Sequence, residues 1–151
     1  MKIYLGADHA GVELKEKIKR MLGKWDVKYE DFGSFDKNKK DDYPDFAFKV
    51  AKKVAKSKGK DKGILVCGTG TGMVVAANKI KGIRAAVGYD SYSAIKGRED
   101  NDINILCLRS RKFSGMKNMR IIKAWLTTEF SKDLRHKRRI EKIKKQEEKK
   151  R

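Results

Sequence analysis

The 151-residue chain is 39% hydrophobic and 39% charged, with a formal charge of +19. That length fits one domain with its own core (residues 1–151). No apolar run approaches the roughly 18–20 residues needed to span a bilayer. The first strand pattern starts at Lys2, so no secretory leader is expected. Two cysteines, Cys67 and Cys107, are no disulfide framework, which points to a reducing, cytoplasmic setting.

Along the chain, short β-rich runs alternate with helical patterns. KIYLGA (2–7) predicts strand one. Val12, Leu14, Ile18, Met21 and Leu22 then share one helical face, and Gly23 ends it. VKYEDFG (27–33) predicts strand two, and 34–43 a polar loop in which Asp41 and Asp42 read as solvated. Pro44 suits the first turn of a helix carrying Phe46, Val50 and Val54. KGILVCG (62–68) is strand three, 72–80 a helix, and GIRAAVGY (82–89) strand four. Ser91 is placed to cap a helix over 92–98. INILCL (103–108) is strand five, followed by helices over about 114–130 and 132–149, with 146–151 expected to fray.

Strands alternating with helices predict an α/β fold. We expect a three-layer, Rossmann-like, five-stranded parallel sheet in the order 2-1-3-4-5, helices on both faces and a basic C-terminal helix. Ligands then bind at the carboxyl ends, near the switch point between strands one and three. Strand one ends at GADHAG (6–11) and strand three at CGTGTG (67–72), on neighbouring strands about 4.8 Å apart. Asp8, His9 and Cys67 therefore share one rim. Cys107, two strands away in that order, lies roughly 10 Å from Cys67, too far for a disulfide.

The glycine loop admits two readings on pattern alone: a nucleotide-binding loop, with Asp90 as ribose acid, or a tight turn. Its spacing is GxGxG rather than GxGxxG, and it follows strand three. Amides of Gly68, Gly70 and Gly72, with the next helix N-terminus, form a nest for negative charge. A cysteine there is expected to have a lowered pKa, and its thiolate suits proton abstraction beside a carbonyl, with the amides holding an enediolate. The alternative for Cys67 is a small buried apolar residue, the reading we give Cys107. In RHKRR (135–139), Arg135 and Arg139 are four apart on one helical face, a geometry that suits a phosphate clamp, a plain solvated basic face or a nucleic-acid contact; Arg138 points elsewhere. Residues 131–151 hold 11 Lys/Arg against 4 Asp/Glu, a net of +7 that leaves +12 on the rest. An anionic partner fits this charge, whether a phosphorylated metabolite, an acidic protein or nucleic acid. No aromatics interleave with the terminal cations, which weakens a nucleic-acid platform.

GADHAG, DYPD (42–45), GILVCGTGTGM (63–73), AANKIKGIRAA (76–86), NDINIL (101–106) and RHKRRIEKI (135–143) together identify a resemblance spanning residues 2 to about 145. The chain resembles the ribose-5-phosphate isomerase B / galactose-6-phosphate isomerase family. The resemblance implies an aldose–ketose isomerase of sugar phosphates with no metal or cofactor. It matches Cys67 to the base, and Gly68, Thr69, Gly70, Thr71 and Gly72 to the loop that holds the enediolate, with Thr69 assisting catalysis. Asp8, His9, Tyr43 and Asn101 match substrate contacts, and Arg111, Arg135 and Arg139 the phosphate side. It also implies a homodimer or homotetramer whose sites are completed by a neighbouring subunit, without membrane or nucleic acid. Two positions depart from the family. Asp100 stands where a ring-opening histidine is usual, and Arg109 where glycine is common. The expected reaction is ribose 5-phosphate to ribulose 5-phosphate. The alternatives are a six-carbon aldose phosphate, allose or galactose 6-phosphate, or a catalytically weak relative that binds anions or nucleic acid.

Overall fold

A computed structural model describes residues 1–149. Five parallel strands form one sheet: β1 (Ile3–Ala7), β2 (Tyr29–Asp31), β3 (Lys62–Cys67), β4 (Ala85–Val87) and β5 (Ile105–Arg109). The helices are α1 (Val12–Lys24), α2 (Tyr43–Lys56), α3 (Thr71–Ala77), α4 (Ser91–Asn101), α5 (Gly115–Thr127) and α6 (Leu134–Glu148). A 3-10 turn over His9–Gly11 links β1 to α1.

The α/β class and parallel pairing agree with the sequence, but the order is β2-β1-β3-β5-β4 rather than 2-1-3-4-5. Burial explains the swap. A central strand must be apolar on both faces, and Ile105–Leu108 are all buried, whereas β4 is three residues long with only Ala85 buried. The longer apolar run takes the centre and the short one the edge. Leu65 pairs with Cys107 and Cys67 with Arg109, so Cys107 lies one strand from β3 rather than two. Both thiols are free, and burial pushes the Cys107 thiol up.

Alternation along the strands divides the core. Ile3, Leu5, Ile64, Val66, Leu106 and Leu108 face α1 and α5, where Ile18, Leu22, Ile122 and Trp125 are buried. Tyr4, Leu65, Cys67, Ile105 and Cys107 face α2 and α3, against Val50, Val54, Met73 and Ala77. Removing those side chains from water supplies the main force holding the layers, about 1.5–3 kcal/mol for each large one.

Local signals set the helix ends. Asp90 rather than Ser91 caps α4; its carboxylate accepts from the Ser93 amide at 2.7 Å, and the Asp90 amide donates to the Ser93 hydroxyl at 3.2 Å. Helix α6 stays regular to Glu148, past the start of the expected fraying, because Glu147 accepts from the Gly82 amide at 3.1 Å and Glu148 lies 3.7 Å from Lys81. The expectation for 150–151 lies outside the described residues. Lys15 is fully buried on the apolar face of α1, where periodicity places no charge. Its ammonium donates to Asp31 at 2.5 Å and sits 4.5 Å from the centre of the Phe35 ring. That contact ties down the segment after β2.

Candidate active site

Strand β3 stops at Cys67 because the chain turns at Gly68–Gly70 into α3. Gly70 has φ +81°, and a Cβ there would stand 3.2 Å from the Leu108 carbonyl carbon, so conformation and space both call for glycine. This backbone aims the Gly70 amide at the Cys67 sulfur, 3.0 Å away. The loop is strapped to the end of β5. The Ser110 amide and hydroxyl donate to the Cys67 carbonyl at 2.9 and 3.1 Å, and the Arg111 amide donates to the Gly68 carbonyl at 3.1 Å. The Thr71 amide donates to the Thr69 hydroxyl at 3.3 Å. Tyr43, opening α2, rests on Gly72, where a Cβ would come within 2.8 Å of its ring.

Asp8 leaves the adjacent strand β1 at the same rim, its amide bonded to the Val66 carbonyl at 3.2 Å. Its carboxylate accepts from the Gly11 amide at 3.1 Å and is buried. Burial raises the Asp8 pKa, against the lowering effect of the neighbouring His9 charge and of the amides of Gly11 and Ala10. His9 is held from the loop that sequence reading treats as solvated. One oxygen of Asp41 accepts from the His9 amide at 2.8 Å and contacts its Nδ1 at 3.0 Å. Burial works against the Asp41 carboxylate, but bonds from the Ser34 hydroxyl and from the His9 amide and ring outweigh it and lower its pKa. Asp41 is therefore a positioning residue that sequence reading missed, and nothing in its polar surroundings marks it except the doublet before Tyr43. Asp42, in contrast, only precedes α2.

A cleft of about 470 Å³ opens beside the loop, lined by Gly68, Thr69, Thr71, Val87, Tyr89, Arg109, Arg111 and Lys112. It combines backbone amides, hydroxyls and three cations, a donor set suited to an anionic, hydroxylated ligand. The carboxyl edge of the sheet thus gathers Asp8, His9, Tyr43, Cys67, the 68–72 loop and Arg111.

Four other expected site residues lie elsewhere. Helix α4 starts beyond the carboxyl end of β4 and runs back for 11 residues, delivering Asp100 and Asn101 to the amino edge just ahead of β5. There Asp100 lies 3.6 Å from Nε2 of buried His136, and the Asn101 carbonyl accepts from Arg84 at 3.0 Å. Arg135 and Arg139 project from α6 at the same edge; Arg135 comes within 3.9 Å of Asp133. Within one copy these four residues do not share the cleft with Cys67.

Comparison with known proteins adds an independent line. The family profile described as Ribose/Galactose Isomerase matches residues 3–143. A putative sugar phosphate isomerase of Bacillus subtilis is 45% identical over 149 residues, 99% of each chain. The solved ribose-5-phosphate isomerase B of Clostridium thermocellum superposes with a TM-score of 0.95 at 45% identity, covering 100% of both chains. That of Mycoplasma genitalium with bound ribulose-5-phosphate gives 0.91 at 43% identity, over 97% of this chain and 96% of the other.

Proposed function

Because the chain belongs to the ribose/galactose isomerase family, we propose that it interconverts ribose 5-phosphate and ribulose 5-phosphate through an enediolate, with Cys67 as the base. The observation that carries this reading is the Gly70 amide set 3.0 Å from the buried Cys67 sulfur, directly under the loop whose Gly68, Thr69 and Thr71 line a cation-rich cleft. A donor aimed at sulfur complements negative charge on it, and the following amides face the place where the sugar's oxyanion forms. The thiolate takes the proton from the carbon beside the carbonyl and returns it to the neighbouring carbon. The electron pair rests meanwhile on the enediolate oxygens, near the amides of 68–72 and the Thr69 hydroxyl. Asp8 orients a sugar hydroxyl, and Tyr43 closes the cleft over Gly72. His9, fixed by Asp41, and Arg111 face the ligand's charged groups. The solved Mycoplasma genitalium relative with ribulose-5-phosphate supports a five-carbon substrate.

The remaining residues reach the site from a second copy. Asp100, Asn101, Arg135 and Arg139 stand together at the amino edge on α4 and α6, and in a symmetric homodimer each copy presents them to the other's cleft. Asp100 then serves ring opening, and the two arginines clamp the phosphate. This reading places the protein in pentose phosphate metabolism in the cytoplasm.

Deuterium uptake at C1 and C2 of the sugar, followed by NMR in heavy water, tests the chemistry. Cys67→Ala should lose both exchange and turnover, by about 10³-fold or more, while its circular dichroism stays native. Exchange at the wild-type rate would remove the thiol from the mechanism.

A further inference from the structure

Three cations, Arg109, Arg111 and Lys112, line the cleft beside the glycine loop. Arg109 ends β5 and is the register partner of Cys67, so their backbones run side by side, about 4.8 Å apart. Side chains two apart on a strand share a face, so Arg109 leaves the sheet on the side of Cys107, the side to which Cys67 also belongs. Its guanidinium reaches across the rim of the sheet to stack on Phe113, 4.1 Å from the ring centre, an aromatic packed against the α1/α5 layer, and this contact holds an exposed side chain in place beside the cleft. Arg111 and Lys112 line the same wall, with Gly68, Thr69 and Thr71 opposite.

These cations differ from the arginines of the amino edge in their pairing. At the other edge of the sheet, Arg84 and Arg98 each hold an oxygen of Asp102, at 2.8 and 2.6 Å. Among the described residues, no carboxylate lies within ion-pair distance of Arg109, Arg111 or Lys112. Three neighbouring unpaired cations repel one another until an anion enters, and Arg109 is the one registered with the base.

We propose that Arg109 stabilises the negative charge that develops at the carbonyl end of the sugar during isomerisation; this rests on the reading of the cleft as an isomerase site. When Cys67 takes the proton, the electron pair of the broken C–H bond moves into the carbonyl and leaves an oxyanion. Reprotonation of the former carbonyl carbon, with the proton of the neighbouring hydroxyl passing to the oxyanion as the new carbonyl forms, collapses that charge. A cation beside the base feels the oxyanion only while it exists, so its effect falls on kcat. A cation that binds the phosphate acts equally on bound substrate and transition state, so its effect falls on KM.

Steady-state kinetics with ribose 5-phosphate separate the two. Arg109→Met keeps an apolar stem against Phe113 and removes the charge. It should lower kcat about 10- to 100-fold with KM within about threefold of wild type. Arg109→Lys should recover part of the rate. An unchanged kcat, or a raised KM at constant kcat, overturns the proposal. Thermal melting checks the fold, and if Arg109→Met melts early, Arg109→Gln is judged by the same criteria. Wild-type protein that neither turns over nor exchanges deuterium would instead overturn the isomerase reading. An active wild type with an indifferent Arg109→Met strikes this inference alone.

Discussion

The two edges of the sheet use charge in opposite ways. At the amino edge, Arg98 is buried and its guanidinium donates to Asp102 at 2.6 Å and to the Ile103 carbonyl at 2.7 Å, while Arg84 holds the other oxygen of Asp102 at 2.8 Å. That network joins the end of α4 to the start of β5. At the carboxyl edge, Arg109, Arg111 and Lys112 lie open around a loop whose Gly70 amide points at a thiol. Paired charges hold the fold at one edge, and at the other three cations without an ion pair line an open cleft. The exposed cations of α6 belong to neither group until a second copy is considered.

The sharpest test of this contrast mixes two inactive proteins. If Arg139 serves another copy's cleft, Cys67→Ala and Arg139→Ala should each be nearly inactive alone. After unfolding and joint refolding, random pairing should restore about a quarter of wild-type activity, since one site in four then has both groups intact. No recovery would mean that thiol and arginine must come from one chain.

A smaller effect is expected from Asp102→Ala, which leaves buried Arg98 without its carboxylate. Urea unfolding should show a loss of about 2–3 kcal/mol, near the low end for breaking a buried pair because Asp102 is partly exposed. A loss below about 0.5 kcal/mol would make that network as dispensable as a surface pair.

The smallest effect concerns Lys62, at the start of β3 on the amino edge. Burial and the nearby Arg98 charge lower its pKa to about 8, and its ammonium lies 5.5 Å from the centre of the Trp125 ring. Below pH 8 the folded protein carries a disfavoured charge. Between pH 8 and the ordinary lysine value of 10.5 the unfolded chain binds the extra proton, so stability rises with pH across that window. Lys62→Met should therefore melt higher than wild type at pH 7, with the gap closing toward pH 10. A gap independent of pH would assign the effect to packing rather than charge.

Much of the carboxyl edge was legible in the sequence, because its signals are local. An apolar run ending in cysteine, then alternating glycines, then a helical pattern leaves few backbone paths, and Gly70 at φ +81° takes one of them. Asp41 was not legible. A carboxylate in a polar loop looks solvated until Lys15 anchors Asp31 and the loop folds over to His9.

By itself the sequence determined the parallel α/β class, the cysteine–glycine turn and the cationic character of the chain, all of which follow from periodicity, residue type and neighbours along the backbone. Tertiary structure alone decided that β5 rather than β4 lies beside β3, that Asp41 grips His9, and that Asp100, Asn101, Arg135 and Arg139 stand at the edge opposite the thiol. Those outcomes depend on which surfaces compete best for burial across the sheet, and spacing along the chain does not encode that competition.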